Sequence, residues 1–180
     1  MFEYPASTYA TYELDPRWAF ECGRKSENRV PVMPAPPVLA EGYQWRVSEE
    51  GGLYADGPNP TLFAMSPFGA IGSEVHFELP GDEGELLMRL QALRVEPLQA
   101  ITPAALEAEG YTFDPVCCGR PDVSEDGTEE CCGSPEPDTA ATLGAYIGQW
   151  DRTYPAGFRW ADNPWVWVPT LVIEHDEEGV

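Results

Sequence analysis

Nineteen prolines and 17 glycines punctuate this 180-residue chain, and they constrain its architecture more than any other feature. Proline breaks helix interiors and glycine favours turns, so a compact helical bundle is excluded. What remains is a fold of short strands, many turns and long connections. The run Val30-Pro31-Val32-Met33-Pro34-Ala35-Pro36-Pro37 must be extended rather than helical.

Between these breaks the hydrophobic pattern assigns the elements. Asp15-Pro16 reads as the N-cap and first residue of a short helix through Cys22, closed by Gly23. Gln44–Ser48 and Thr61–Met65 read as short strands around a turn at Gly51-Gly52. Val75, Phe77 and Leu79 alternate with Glu74, His76 and Glu78, the period-two signature of a half-buried strand. A longer strand follows over Leu86, Met88, Leu90 and Leu93 to Leu98, interrupted by Arg89 and Arg94. Thr102-Pro103 starts a second helix that Gly110 stops, and Thr139–Trp150 forms a third with Leu143, Tyr146, Ile147 and Trp150 on one face. Trp165–Ile173 closes the chain as an aromatic and β-branched strand after the Asp162-Asn163-Pro164 turn. The expected fold class is α+β: one domain over residues 1–180, a small closed or nearly closed β-barrel with a few flanking helices. Residues 112–138 form an inserted polar loop rich in cysteine.

The charge is −21, from 31 acids against ten basic residues. Binding of bare duplex phosphate by the whole surface is disfavoured, because self-repulsion opposes it. The acids are dispersed in turns and tails. They fit an acidic mimic that occupies a nucleic-acid-binding protein less well than general acidity, salt adaptation or solubility. No stretch approaches the roughly 18–20 apolar residues of a membrane span. The first residues show neither a basic nor an apolar signal region, so the expected location is cytoplasmic.

Against this acidic background, Lys25 is the only lysine, and it lies within Gly23-Arg24-Lys25-Ser26-Glu27-Asn28-Arg29. A basic island in a negative field can hold an anion or supply a lysine tuned for chemistry. The ordinary alternative is a helix C-terminus, where cations complement the macrodipole. Trp160, Trp165 and Trp167 read as core, with a stacking wall for an unpaired base as the alternative. His76 lies in the half-buried strand and His175 in the acidic tail, and a lone strand histidine reads as satisfied structure rather than as a catalyst; no Gly-x-Ser-x-Gly, Walker or dinucleotide fingerprint occurs.

Cys117-Cys118-Gly119-Arg120-Pro121 and Cys131-Cys132-Gly133-Ser134-Pro135 form an internal repeat. Four thiolates can close a tetrahedral structural zinc site and so order a loop poor in apolar residues. Disulfides and free thiols are the alternatives, and the contiguous pairs depart from the usual Cys-x-x-Cys spacing.

Four stretches together resemble the phage-encoded ASCH-domain proteins of the PUA-like β-barrel class. Gly23–Arg29 resembles the family's G-R-K-T-Q-T-R. Pro67-Phe68-Gly69-Ala70-Ile71-Gly72-Ser73-Glu74-Val75-His76-Phe77-Glu78 resembles P-Y-G-x-P-G-D-R-L-W-V-R-E. Leu93-Arg94-Val95-Glu96-Pro97-Leu98-Gln99-Ala100-Ile101, with Ala108-Glu109-Gly110 beyond it, resembles V-R-V-E-R-L-Q-D-I and A-E-G. Trp150-Asp151 and Trp160-Ala161-Asp162-Asn163-Pro164-Trp165-Val166-Trp167-Val168 resemble L-W-D and W-x-x-N-P-W-V-W-V.

The resemblance implies a PUA-like barrel in host cytoplasm, with a pocket for RNA or a modified nucleobase or nucleotide. The binding residues would be Arg24, Lys25, Asn28, Arg29 and Trp165, with Lys25 and Glu78 as the catalytic pair of any activity. Some relatives are amidohydrolases of acylated cytidine or weak ribonucleases, with lysine as general base. A host-takeover role against a nucleic-acid-binding protein, and a virion-associated role, are the remaining alternatives. Asn28 stands where the family has Thr, Val30 where it has Arg, and Leu79 where it has Glu. Ser73-Glu74 replaces Asp-Arg. Glu78 can take over from that Glu only through a bulge, because one residue along a strand reverses the face.

Overall fold

The computed structural model describes residues 19–20, 25–78, 85–111, 122–123, 129–130 and 139–173. The strands are β1 (Val30–Pro31), β2 (Gln44–Val47), β3 (Gly52–Asp56), β4 (Thr61–Met65), β5 (Glu74–Glu78), β6 (Glu85–Pro97), β7 (Asp122–Val123), β8 (Glu129–Glu130) and β9 (Trp165–Ile173). Two helices, α1 (Pro103–Ala108) and α2 (Thr139–Thr153), complete the α+β arrangement, and Ala19 and Phe20 are helical. All strand pairing is antiparallel.

The expected closed barrel is not formed by the described strands. They make a four-stranded sheet, β1-β9-β6-β5, a three-stranded sheet, β2-β3-β4, and the small β7-β8 ribbon. β4 and β5 do not ladder together, because the Ser66–Gly72 connection between them folds back on the turn at Gly51. There the backbones approach so closely that a Cβ on Gly51 would lie on the Gly69 carbonyl.

β9 is buried on both sides, and its alternation separates two cores. Trp167 and Leu171 face the first core, with Leu53, Phe68, Leu86, Met88, Leu90 and Leu93 between the two sheets. Val166 and Val168 face the second, where Leu106, Tyr111, Tyr146, Trp150 and Tyr154 cover the other side of the sheet. Fully burying one such side chain stabilises the fold by about 1.5–3 kcal/mol.

β6 changes phase along its length. Leu86, Met88 and Leu90 face the first core, then the register with β9 shifts between Leu90 and Ala92, and Leu93 takes the inward position. A bulge of this kind reverses the faces beyond it. It carries Arg94 and Glu96, paired with Val168 and Val166, to the helix side of the sheet.

Two local motifs fix the surroundings. The Thr102 hydroxyl accepts from the Ala105 N–H and caps α1. At the other end, the Gly110 N–H donates to the Glu107 carbonyl and the Tyr111 N–H to that of Leu106, the Schellman pattern. Gly110 has φ +90°, a conformation that glycine adopts without steric cost. The Asp162-Asn163-Pro164 turn is equally well determined. Asn163 Oδ1 accepts from the Gln99 N–H at 2.8 Å, and Asp162 Oδ2 from the Gly157 and Arg159 N–H groups.

Candidate functional site

The segment from Lys25 to Arg29 runs between β9 and the end of α1. The Ser26 and Glu27 N–H groups both donate to the Ala108 carbonyl, at 2.8 and 2.9 Å, and the Leu171 N–H donates to the Ser26 carbonyl at 2.7 Å. Bridges join Lys25 to Glu109 and Glu27 to Thr170. The extended backbone buries alternate residues, Lys25, Glu27 and Arg29, while Ser26 and Asn28 are half-buried.

An interlocked set of charges results. Lys25 Nζ donates to the Glu109 carbonyl at 2.9 Å and lies 3.4 Å from Glu109 Oε2. Glu109 Oε1 accepts from both the backbone N–H and Nη1 of Arg29, at 2.8 and 2.9 Å. Arg29 Nη2 reaches Glu96 Oε1 at 2.7 Å, and Nη1 lies 3.4 Å from Glu27 Oε2. Arg94 closes the set with both Nη atoms on Glu27, at 2.5 and 2.9 Å, and Nε on Glu96 at 3.2 Å. Lys25, Arg29 and Arg94 therefore balance Glu27, Glu96 and Glu109. Lys25 is 8% exposed, and Arg29 and Glu109 are each 1% exposed, while Arg94 at 43% and Glu96 at 22% form the outer rim.

Burial is the largest influence on Lys25 and pulls its amine below the ordinary lysine value, with Glu109 only partly offsetting it. Glu96 sits below the usual carboxylate range. Desolvation alone would raise it, but hydrogen bonds and charge from Arg29 and Arg94 outweigh that cost. Hydrogen bonding to Glu27 above all holds Arg94 protonated. Burial, followed by the Glu109 charge, raises both Tyr111 and Tyr146, which keeps them as neutral hydroxyls.

Aromatic groups wall the cluster. Lys25 Nζ lies 5.7 Å from the Phe20 ring, which packs edge-on against Phe77 of β5 at 5.5 Å. Tyr111 and Tyr146 meet edge to face at 5.4 Å. Among the described residues, three buried polar atoms here have no hydrogen-bond partner: Arg29 Nε, Tyr111 Oη and Tyr146 Oη. Such a group costs about 1–3 kcal/mol while it stays unpaired.

Of the residues expected at the site, Lys25 and Arg29 are brought together. Asn28 takes no part in the ion pairs. Trp165 packs toward the first core and shares its face of β9 with Trp167, opposite to Arg94 and Glu96. Glu78 lies at the end of β5, where Glu74–Glu78 pair in unbroken register with Arg89–Glu85. The carboxylate beside Lys25 is that of Glu109. Arg24 and the cysteines Cys117, Cys118, Cys131 and Cys132 lie outside the described residues. Among the described residues no group of three or more His, Cys, Asp or Glu side chains could hold a metal ion, and no helix is long and apolar enough to cross a membrane.

Glu27, Arg94, Glu96, Tyr111 and Tyr146 were not marked as site residues by the sequence. One signal was present: the break in alternation between Leu90 and Leu93, which places Arg94 and Glu96 together on the helix side. Comparison with protein-family models, curated proteins and solved structures finds no match.

Proposed function

We propose that the chain is an ASCH-like binding module for RNA or a modified nucleobase or nucleotide, with the Lys25–Arg29–Glu109 cluster as its recognition site. The observation that carries this reading is that the only lysine meets Arg29 and Glu109 in a buried polar cluster walled by Phe20, Tyr111 and Tyr146. A few fixed polar groups among aromatic side chains are what a site needs to orient a planar, hydrogen-bonding ligand. Arg94 and Glu96 form the rim such a ligand would meet first. The test is titration of the full chain with single-stranded RNA oligonucleotides and a nucleoside panel. Lys25→Met should weaken binding at least tenfold. Equal affinity in the variant, or no binding by any of these probes, would exclude the reading.

The lowered pKa of Lys25 beside a carboxylate favours a second reading, an amidohydrolase of acylated cytidine or a weak ribonuclease. Lys25 would then serve as general base, with Glu109 in the role first given to Glu78. Release of the acyl group from an acylated cytidine, lost in Lys25→Met, would establish it. An inert wild-type protein would remove it.

We also infer that Cys117, Cys118, Cys131 and Cys132 hold a structural zinc ion. β7 and β8 pair between the two cysteine pairs, with Asp122 opposite Glu130, directly before Cys131 and four positions after Cys118. One equivalent of zinc released on thiol modification supports this assignment, and metal-free protein with four titratable thiols refutes it.

A further inference from the structure

The three unpaired atoms beside Glu109 identify what kind of group the site takes. We propose that Arg29 Nε, Tyr111 Oη and Tyr146 Oη form a subsite for an uncharged lactam or ureide edge, a carbonyl oxygen next to an N–H. This inference rests on the binding-module reading and specifies its ligand.

The chemistry is restrictive. A guanidinium N–H only donates, so whatever meets Arg29 Nε must offer an acceptor. A carbonyl oxygen has two lone pairs, enough for Arg29 Nε and one tyrosine hydroxyl. The second hydroxyl can then accept from the adjacent N–H. The side chains involved are almost fully buried: Arg29 is 1% exposed, Tyr111 3% and Tyr146 0%. They are also neighbours. Arg29 is bonded to Glu109, Tyr111 is two residues beyond Glu109, and Tyr146 packs on Tyr111 and lies within the fields of both Arg29 and Glu109.

Charge excludes the obvious competitor. Of the basic residues that suggested an anion site, Lys25 and Arg29 are already neutralised, together with Arg94, by Glu27, Glu96 and Glu109. A phosphate or carboxylate brought to Arg29 Nε would sit beside three carboxylates, in a molecule of net charge −21, with no cation of the cluster left to balance it. A cation would face Lys25 and Arg29. A neutral amide edge meets neither penalty. Arg94, the exposed member, bonds the same Glu27 and Glu96 that Arg29 uses.

The experiment uses the full chain and four probes: uracil, uridine, inorganic phosphate and acetate. Affinities are followed by calorimetry, with ligand-observed NMR for weak binding. Uracil and uridine should bind saturably, and phosphate and acetate should not compete with them. Tyr146→Phe and Tyr111→Phe remove a hydroxyl without changing the packed ring. Each should weaken uracil at least tenfold, while the melting temperature of the free protein stays the same or rises. Phosphate binding as tightly as uridine, or uracil affinity unaffected by both substitutions, overturns the proposal. If RNA binding depends on Lys25 but ignores both tyrosine hydroxyls, the subsite fails while the binding module stands. If neither RNA nor any nucleoside binds, both fail together.

Discussion

Replacing Glu109 by Gln is the most informative single change in this molecule. The substitution keeps the volume and leaves an amide oxygen that can accept from the Arg29 N–H groups now held at 2.8 and 2.9 Å. It also puts an NH2 group toward Lys25 Nζ, 3.4 Å from the present Oε2, so that donor faces donor. Lys25, Arg29 and Arg94 would be left with only Glu27 and Glu96. Removing one partner of a buried pair costs about 3–5 kcal/mol, because a buried charge is left uncompensated. At about 2–4 °C per kcal/mol for a chain of this size, the melting temperature should fall by about 6–20 °C. The double variant Lys25→Met/Glu109→Gln restores the balance. It should recover at least about 1 kcal/mol relative to the sum of the single effects, within the range known for contacting residues. Asp56→Asn is the internal standard: Arg46 and Asp56 lie 3.6 Å apart with Arg46 70% exposed, and exposed pairs contribute about 0–1 kcal/mol. Urea unfolding followed by tryptophan fluorescence reads the wild type and four variants, Lys25→Met included. If Glu109→Gln costs no more than Asp56→Asn, or if the double variant is simply additive, the charges do not act as one unit.

Further outcomes follow from the same geometry. Gly110→Ala forces an L-residue to φ +90° at the turn that presents Glu109 and should destabilise by about 1–2 kcal/mol in the same unfolding assay. Glu96 has a folded pKa below its unfolded value, so its contribution is present above the ordinary glutamate pKa and is lost as pH falls through the folded one. Glu96→Gln should therefore flatten the acid limb of the stability–pH curve while leaving its alkaline limb unchanged. Arg94→Ala, at the exposed rim, should cost less stability than Glu109→Gln and speed ligand association, measured by stopped-flow fluorescence.

Much of the fold was legible because its signals are local. Trp165–Ile173 forms a strand over the expected span, since β-branched and aromatic residues follow an Asn-Pro turn. Thr102-Pro103 and Gly110 bound α1 through capping chemistry that needs only neighbours. Gly52–Asp56 was missed, because β3 draws its order from pairing with β2 on one side and β4 on the other rather than from any alternation of its own. The α+β class was legible from the strand and helix patterns, whereas the division of the described strands into separate sheets rests on the contact of the Gly51 turn with the Ser66–Gly72 connection, which strand patterns do not encode. At the site, composition singled out Lys25, and Arg29 stood out with it. Their partners lay beyond reach, since Glu109 is 84 positions from Lys25 and Glu96 is 67 from Arg29. The resemblance puts a carboxylate at the position of Leu79, next to Glu78, whereas the carboxylate found beside Lys25 is that of Glu109.

Because Lys25 is the only lysine, protein labelled with 15N-lysine gives a single side-chain ammonium signal. Its pH titration, with and without uridine, tests the account most directly. Nζ should titrate below the ordinary lysine value, exchange slowly with water, and shift when uridine or RNA is added. An Nζ that titrates at the ordinary value, exchanges freely and ignores both ligands would contradict the account.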